Sequence, residues 1–186
     1  RGLQVGIGTD SRSCSDNLNM FEAMRLASYT SRVRGPDFNR WLSTDEVFRM
    51  ATVDSAHVLG FGDRIGRLEP GAFADIVFLN RRNLNYVPLN DVTNQIVNAE
   101  DGTGVDSVMI GGRMILDRGR FTTVDYDSLS GKAERAMERM RTVNAEALEL
   151  ASRLEPVVGS FCVALGSQPY HVDRFVNDEE RRPRRS

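Results

Sequence analysis

VGIGTD, residues 5–10, decides the fold. Leu3, Val5 and Ile7 alternate with Gln4 and Gly6, the period-two pattern of a short strand, and Gly8-Thr9-Asp10 ends it in turn-forming residues. The strand delivers Asp10 to its C-terminal edge. Residues 11–17, SRSCSDN, then form a polar loop in which Asp16 or Asn17 is placed to cap a helix. In that helix Leu18, Phe21, Met24 and Ala27 recur at helical spacing. Strand, loop and helix make a half-unit of an α/β fold.

Working outward, Gly35-Pro36-Asp37 breaks the helical region. Ser43-Thr44-Asp45-Glu46 offers a capping box for a second helix whose apolar face is Val47, Met50, Ala51 and Ala56. Past it the period changes. Ile65–Leu68 reads as a strand, Glu69-Pro70-Gly71 as a turn with Pro and Gly where a type II turn wants them, and Ala74–Leu79 as an apolar strand. Val105–Ile110, Gly111-Gly112 and Arg113–Asp117 read as a hairpin, because Gly-Gly suits the positive φ of a two-residue turn. Residues 80–104 are polar and turn-rich, mostly loop with a short apolar element near Gln95–Val97. Leu129, Ala133, Ala136, Met137, Met140, Val143, Ala147, Leu148, Ala151 and Leu154 then keep helical spacing over one long helix, about Ser128–Glu155, whose stripe is read as core against a neighbour. RRPRRS, residues 181–186, is read as a solvated end.

The 186 residues carry 24 Lys+Arg against 26 Asp+Glu, a net charge of -2 and 40% hydrophobic residues, the make-up of an ordinary globular protein. That balance gives no reason to expect nucleic acid or membrane as a partner, and a cytoplasmic location is the expectation. Cys14 and Cys162 lack the spacing of a disulfide framework or a CxxC metal site and are read as reduced thiols. Gly6-x-Gly8 fails as a dinucleotide fingerprint, since Ser11 stands where the third glycine is required. No GxSxG elbow, HxH or HExxH occurs, and His57 and His171 lie far apart. What remains is Asp10, a carboxylate just past a buried strand, where α/β barrels put catalytic groups. By spacing alone a strand-terminal Asp is more often a turn former or helix cap than a catalytic group.

Three stretches together resemble the C-terminal part of the amidohydrolase superfamily, in the branch of chlorohydrolases and of deaminases acting on guanine, methylthioadenosine and S-adenosylhomocysteine. VGIGTDSRSCSDNLNMFEAMRLAS (5–28) is similar to that branch's last barrel strand, its GTD followed by a Ser/Asn-rich loop and an LDMFEEMR-like helix. STDEVFRMATVDSAHVLGFGDRIGRLEPGAFADIVFLN (43–80) resembles its MAT helix, ALG segment and IG-x-LEPG-x-x-AD strand pair. VDSVMIGGRMILDRGRF (105–121) resembles its closing hairpin. The resemblance covers residues 3–121, in the family's order.

The resemblance implies the last strand and helices of a metal-dependent (β/α)₈ barrel over residues 1–60. It implies the C-terminal part of a small composite β-sandwich over 61–121, followed by a long C-terminal helix and tail over 122–186. Carried over, Asp10 is both catalytic and a ligand of a divalent metal, Zn or Fe, taking a proton from the water that attacks the substrate. Arg12 stands where relatives carry small or amide residues; it either faces an anionic group of the substrate or reaches solvent. The implied reaction is hydrolysis of a C–N bond (deamination) or a C–Cl bond of a small heterocyclic molecule. The remaining ligands, an HxH pair and two further histidines, would lie upstream. A barrel of this kind needs ~250 residues, so the chain is expected to be one segment of a larger protein, inactive by itself. Its expected partners are the N-terminal barrel segment and, as a further option, a second copy. The alternatives are an amidohydrolase-like subunit that serves assembly rather than catalysis, and a free-standing β-rich module.

Overall fold

A computed structural model describes residues 3–168; the RRPRRS end and the aromatic PYHVDRF stretch at 169–175 lie outside the described residues. The chain divides into two compact units at Thr123/Val124.

In the first unit, helices α2 (Met20–Ser31), α3 (Thr44–Ala51) and α5 (Val92–Asn98) enclose a small core of Met24, Val47 and Val97, onto which Ile7, Phe21, Leu42 and Phe48 pack. Each helix starts where its sequence supplies an acceptor for orphan amides. Asn19 accepts from the amides of Phe21 and Glu22, and Asp91 from that of Asn94. Ser43 and Glu46 form the full capping box expected from the sequence. The cap of α2 is thus Asn19 rather than Asp16 or Asn17. A one-turn helix α1 (Arg12–Ser15) intervenes, and Asp16 closes it in a left-handed conformation, with φ 57°.

Four antiparallel strands follow in the spatial order β1 (Ile76–Leu79), β2 (Val105–Ile110), β3 (Arg113–Asp117) and β4 (Arg120–Phe121). Ile76 pairs with Met109, and Ile110 with Arg113 across Gly111-Gly112, both at positive φ as a tight right-twisted hairpin requires. Strand β1 is the expected Ala74–Leu79 strand, shorter by two residues.

Two expected strands are absent. Residues 3–10 are extended without a ladder, because an isolated strand has nothing to pair with; the Ile7 amide bonds instead to the Met50 carbonyl at 3.1 Å. Ile65–Leu68 is a run of turns. Gly66 sits there at φ 88°, so close to α4 (Val53–Val58) that a Cβ would come within 2.9 Å of the Thr52 carbonyl oxygen. Such a backbone cannot continue as a strand.

Residues 80–104, which hold the full helix α5 where only a short apolar element near Gln95–Val97 was expected, are tied by Glu100, which is fully buried. Its Oε1 accepts from the amides of Asp101, Gly102 and Gly104, at 3.1, 2.7 and 3.0 Å, and its Oε2 from the Tyr86 hydroxyl. A side chain at position 104 would collide with this carboxylate. Arg25 of α2 donates to the carbonyls of Asn98 and Glu100, which fastens the loop to the helix.

The second unit holds α6 (Tyr126–Val143) and α7 (Ala145–Gly166) in place of one helix ending near Glu155. Asn144 breaks the helix: its side chain bonds back to the Met140 carbonyl at 3.0 Å and competes with the next turn. Helix α7 continues through Pro156 to Gly166. The apolar stripe read as core lies exposed; no residue of either helix is buried, and Val143 is 76% accessible. Among the described residues no helix is long and apolar enough to cross a membrane.

Candidate active site

The segment carrying Asp10 is held at Ile7. The Ile7 side chain packs on the Met24–Val47–Val97 core, and its amide meets the Met50 carbonyl at the end of α3. Ser55 of α4 accepts from the Ile7 amide at 3.1 Å and donates to the Ile7 carbonyl at 3.1 Å and the Met50 carbonyl at 2.7 Å. Gly8 and Thr9 then lead outward to Asp10.

Asp10 has φ 60°, the left-handed region that Asp tolerates better than most side chains. Its Oδ1 accepts from the Ser11 amide at 2.7 Å, and the side chain is otherwise exposed. Arg12 opens α1 two residues on, also exposed, so that the two predicted site residues share one loop. A hydroxyl and thiol cluster lies beside them: Ser11 Oγ is 2.7 Å from Ser13 Oγ and donates to Cys14 Sγ at 3.3 Å. Both cysteines are free and exposed, and His57 lies exposed on α4.

The loop is braced from α2. Asn19 donates its own amide to Asn17 Oδ1 at 3.0 Å, and Asn17 donates to the Glu22 carboxylate. Asn19 Nδ2 reaches the Asp101 carbonyl at 2.8 Å, joining the Asp10 loop to the Glu100 cradle. Between the segment and α2 lies a cavity of about 370 Å³, bordered by Gly8, Thr9, Cys14, Asn17, Glu22 and Leu26. The Asp10 and Arg12 side chains are not part of its wall. A second, more open cavity of about 470 Å³ lies at the end of β1, with Asn80, Arg81, Arg82 and Asp106 on its rim.

Sequence reasoning missed Asn19, Glu22 and Ser55. For Asn19 the signal was present, since an Asn just before the apolar helical positions Phe21 and Met24 is a preferred cap; for Ser55, only the long-range contact identifies it. Among the described residues no three of His, Cys, Asp and Glu gather as a metal would require. Asp10 by itself fits as one ligand. It is a hard oxygen donor, exposed, in the left-handed backbone region, and one carboxylate could supply one position of a ligand set.

An extended segment ending in an exposed carboxylate, a Ser/Asn loop, a helix and an antiparallel hairpin thus follow one another in the first unit. The profile of the Amidohydrolase family matches residues 1–115, and the chain belongs to this family. It is 33% identical over 140 residues to the 5'-deoxyadenosine deaminase of Methanobrevibacter smithii, covering 74% of this chain and 32% of that protein. Its structure is similar to an adenosine deaminase from Xanthomonas campestris with bound zinc, at TM-score 0.71 and 32% identity, over 75% of this chain and 32% of the other. It is also similar to the zinc complex of atrazine chlorohydrolase from Arthrobacter aurescens, at TM-score 0.66 and 28% identity, over 72% and 30% respectively. The chain therefore spans about a third of the length of the relatives it matches.

Proposed function

We propose that this chain is the C-terminal portion of a metal-dependent amidohydrolase that replaces an amino group or chlorine on a small heterocycle by hydroxyl. On this reading residues 1–60 close a (β/α)₈ barrel, 61–121 contribute to a β-sandwich and 122–186 form a C-terminal helical extension. The enzyme works in the cytoplasm, alone or as a homo-oligomer. The observation that carries the reading is the placement of Asp10: an exposed carboxylate at the end of a core-anchored extended segment, in a chain whose relatives include deaminases and a chlorohydrolase.

Asp10 would hold a divalent metal, zinc by analogy with the zinc-bound neighbours, together with histidines contributed from upstream. Such an ion supplies Lewis acidity that brings the pKa of water toward ~7. The chain's own contribution is proton transfer and orientation. The Asp10 carboxylate accepts the proton released by the attacking water and returns it to the departing amine. Ser11 N–H, bonded to Oδ1, fixes the carboxylate's rotation and leaves Oδ2 for this exchange. Arg12, two residues on and exposed, receives an anionic or electron-rich edge of the substrate.

Replacing Asp10 by Asn in the full-length gene product keeps the shape and removes the proton acceptor. Turnover of methylthioadenosine, adenosine or a chlorotriazine is expected to fall by at least about a thousandfold, with reduced zinc content measured by atomic absorption. Near-normal turnover with full metal content would sink the assignment.

A further inference from the structure

We infer that Ser55 is a positioning residue for Asp10, acting through the backbone of Ile7; this rests on the reading of Asp10 as metal ligand and proton acceptor given above. The Ser55 hydroxyl engages both polar groups of one peptide residue. It accepts from the Ile7 amide at 3.1 Å, and its proton is shared between the Ile7 carbonyl at 3.1 Å and the Met50 carbonyl at 2.7 Å. An amide and a carbonyl of the same residue on one side are what a neighbouring strand would satisfy in a ladder. Here a helix side chain takes that place.

The bond to Met50, five residues back at the end of α3, is a local tie between the two helices. The two bonds to Ile7 are different in kind, since they cross 48 positions of sequence. Gly6 is shaped to the same contact. A Cβ on Gly6 would come 2.7 Å from Ser55 Oγ and 2.9 Å from Ser55 Cα, so the segment reaches this serine only without a side chain there.

Ile7 is thereby fixed by its side chain in the core and by its backbone on Ser55, while Gly8, with nothing within 4 Å of its Cβ direction, adds no constraint of its own. The direction in which the chain leaves Ile7 sets where the Asp10 carboxylate stands, three residues on. An alanine at position 55 would preserve helix α4 and remove only the hydroxyl. Groups that orient a metal ligand without touching the metal typically matter by 10–100-fold.

The test compares Ser55→Ala, Asp10→Asn and Ser31→Ala in the full-length gene product loaded with Co²⁺ as a spectroscopic probe. Ser31 is a control for loss of a core hydroxyl: it donates to the Ser28 carbonyl and accepts from the Leu42 amide, remote in sequence from the Asp10 loop. Ser55→Ala is expected to shift the visible Co²⁺ band, weaken Co²⁺ affinity about tenfold, and lower kcat by a similar factor with KM nearly unchanged. Ser31→Ala is expected to lower Tm and leave the band, the affinity and kcat alone. In the full-length gene product without metal, Ser55→Ala leaves the Ile7 amide only its bond to the Met50 carbonyl and should speed its exchange, while Val47 in the core keeps its protection. A Ser55→Ala protein with wild-type band, affinity and kcat overturns the inference, as does a Ser31→Ala protein that changes all three equally. An Asp10→Asn protein that keeps its metal and its turnover overturns the reading of the site itself, which is a separate failure.

Discussion

At the scale of single residues, the contrast between Asp10 and Glu100 shows what a carboxylate's surroundings decide. Asp10 is exposed, with one amide donor and room for another partner. Glu100 is fully buried with three amides and a phenol as donors, so its oxygens are already occupied and it serves the fold. Glu100→Ala strands those four donors in the interior and should lower stability by about 3 kcal/mol or more, read from urea midpoints. Glu100→Gln keeps one oxygen for the three amides and should lose about 1 kcal/mol. Burial, and then the Glu100 carboxylate beside it, push the Tyr86 phenol well above its ordinary range. A raised folded-state pKa means that the unfolded chain releases this proton first. The stabilisation is complete below about pH 10 and declines as pH rises beyond it. Tyr86→Phe should flatten that alkaline decline in denaturation curves taken from pH 9 upward; an unchanged slope would assign it to other groups.

At the scale of elements, legibility followed how local the determining chemistry is. The capping box at Ser43–Glu46 and the Gly111-Gly112 hairpin were readable because each is decided within four residues. The strand expected at residues 3–7 failed because a strand is a property of two segments, and the described residues offer this one no strand partner. Ile65–Leu68 failed because Gly66 answers to the close approach of Thr52 rather than to the apolar alternation around it. The split at Asn144 was hidden by an apolar stripe that runs unbroken across it. Around the candidate site, Asp10 was proposed from motif and Arg12 from its departure from the family pattern, Asn19's capping role is local and open to sequence reading, and Ser55 acts through a contact 48 positions away. The capping box makes a direct prediction. Ser43 lowers the pKa of Glu46, through its backbone amide and then its hydroxyl, so this contribution is present above the ordinary carboxylate range and fades as pH falls through it. Ser43→Ala should lower stability by about 1 kcal/mol near pH 7, and by less at pH 3, in urea titrations of the chain. An equal loss at both pH values would show that the Glu46 half of the box contributes nothing.

At the scale of the whole molecule, the described residues bury few apolar side chains: Met24, Val47, Tyr86, Val97 and the small Ala56. Meanwhile Leu3 is 82% accessible and Leu68 75%, and Val5, Leu26, Val77 and Phe78 are also exposed. Contiguous exposed apolar surface marks an interaction site or an aggregation liability. In a chain that spans about a third of its relatives' length, the proposed function assigns the exposed Leu3 and Val5 to contact with the remainder of a barrel. The extended segment at residues 3–10 adds backbone groups without a ladder, a template for pairing with another chain. The 186 residues expressed alone should therefore bind an apolar dye such as ANS and sediment as concentration-dependent assemblies. Co-expression with the upstream part of its reading frame should give a single species, low in dye binding, with bound zinc and deaminase or dechlorinase activity that neither part has separately. The opposite outcome is as informative: a monodisperse chain, dark to the dye and unfolding in one cooperative transition, would mean that residues 3–10 need no strand neighbours. Asp10 would then be a turn former on a free-standing module rather than a ligand at the mouth of a barrel.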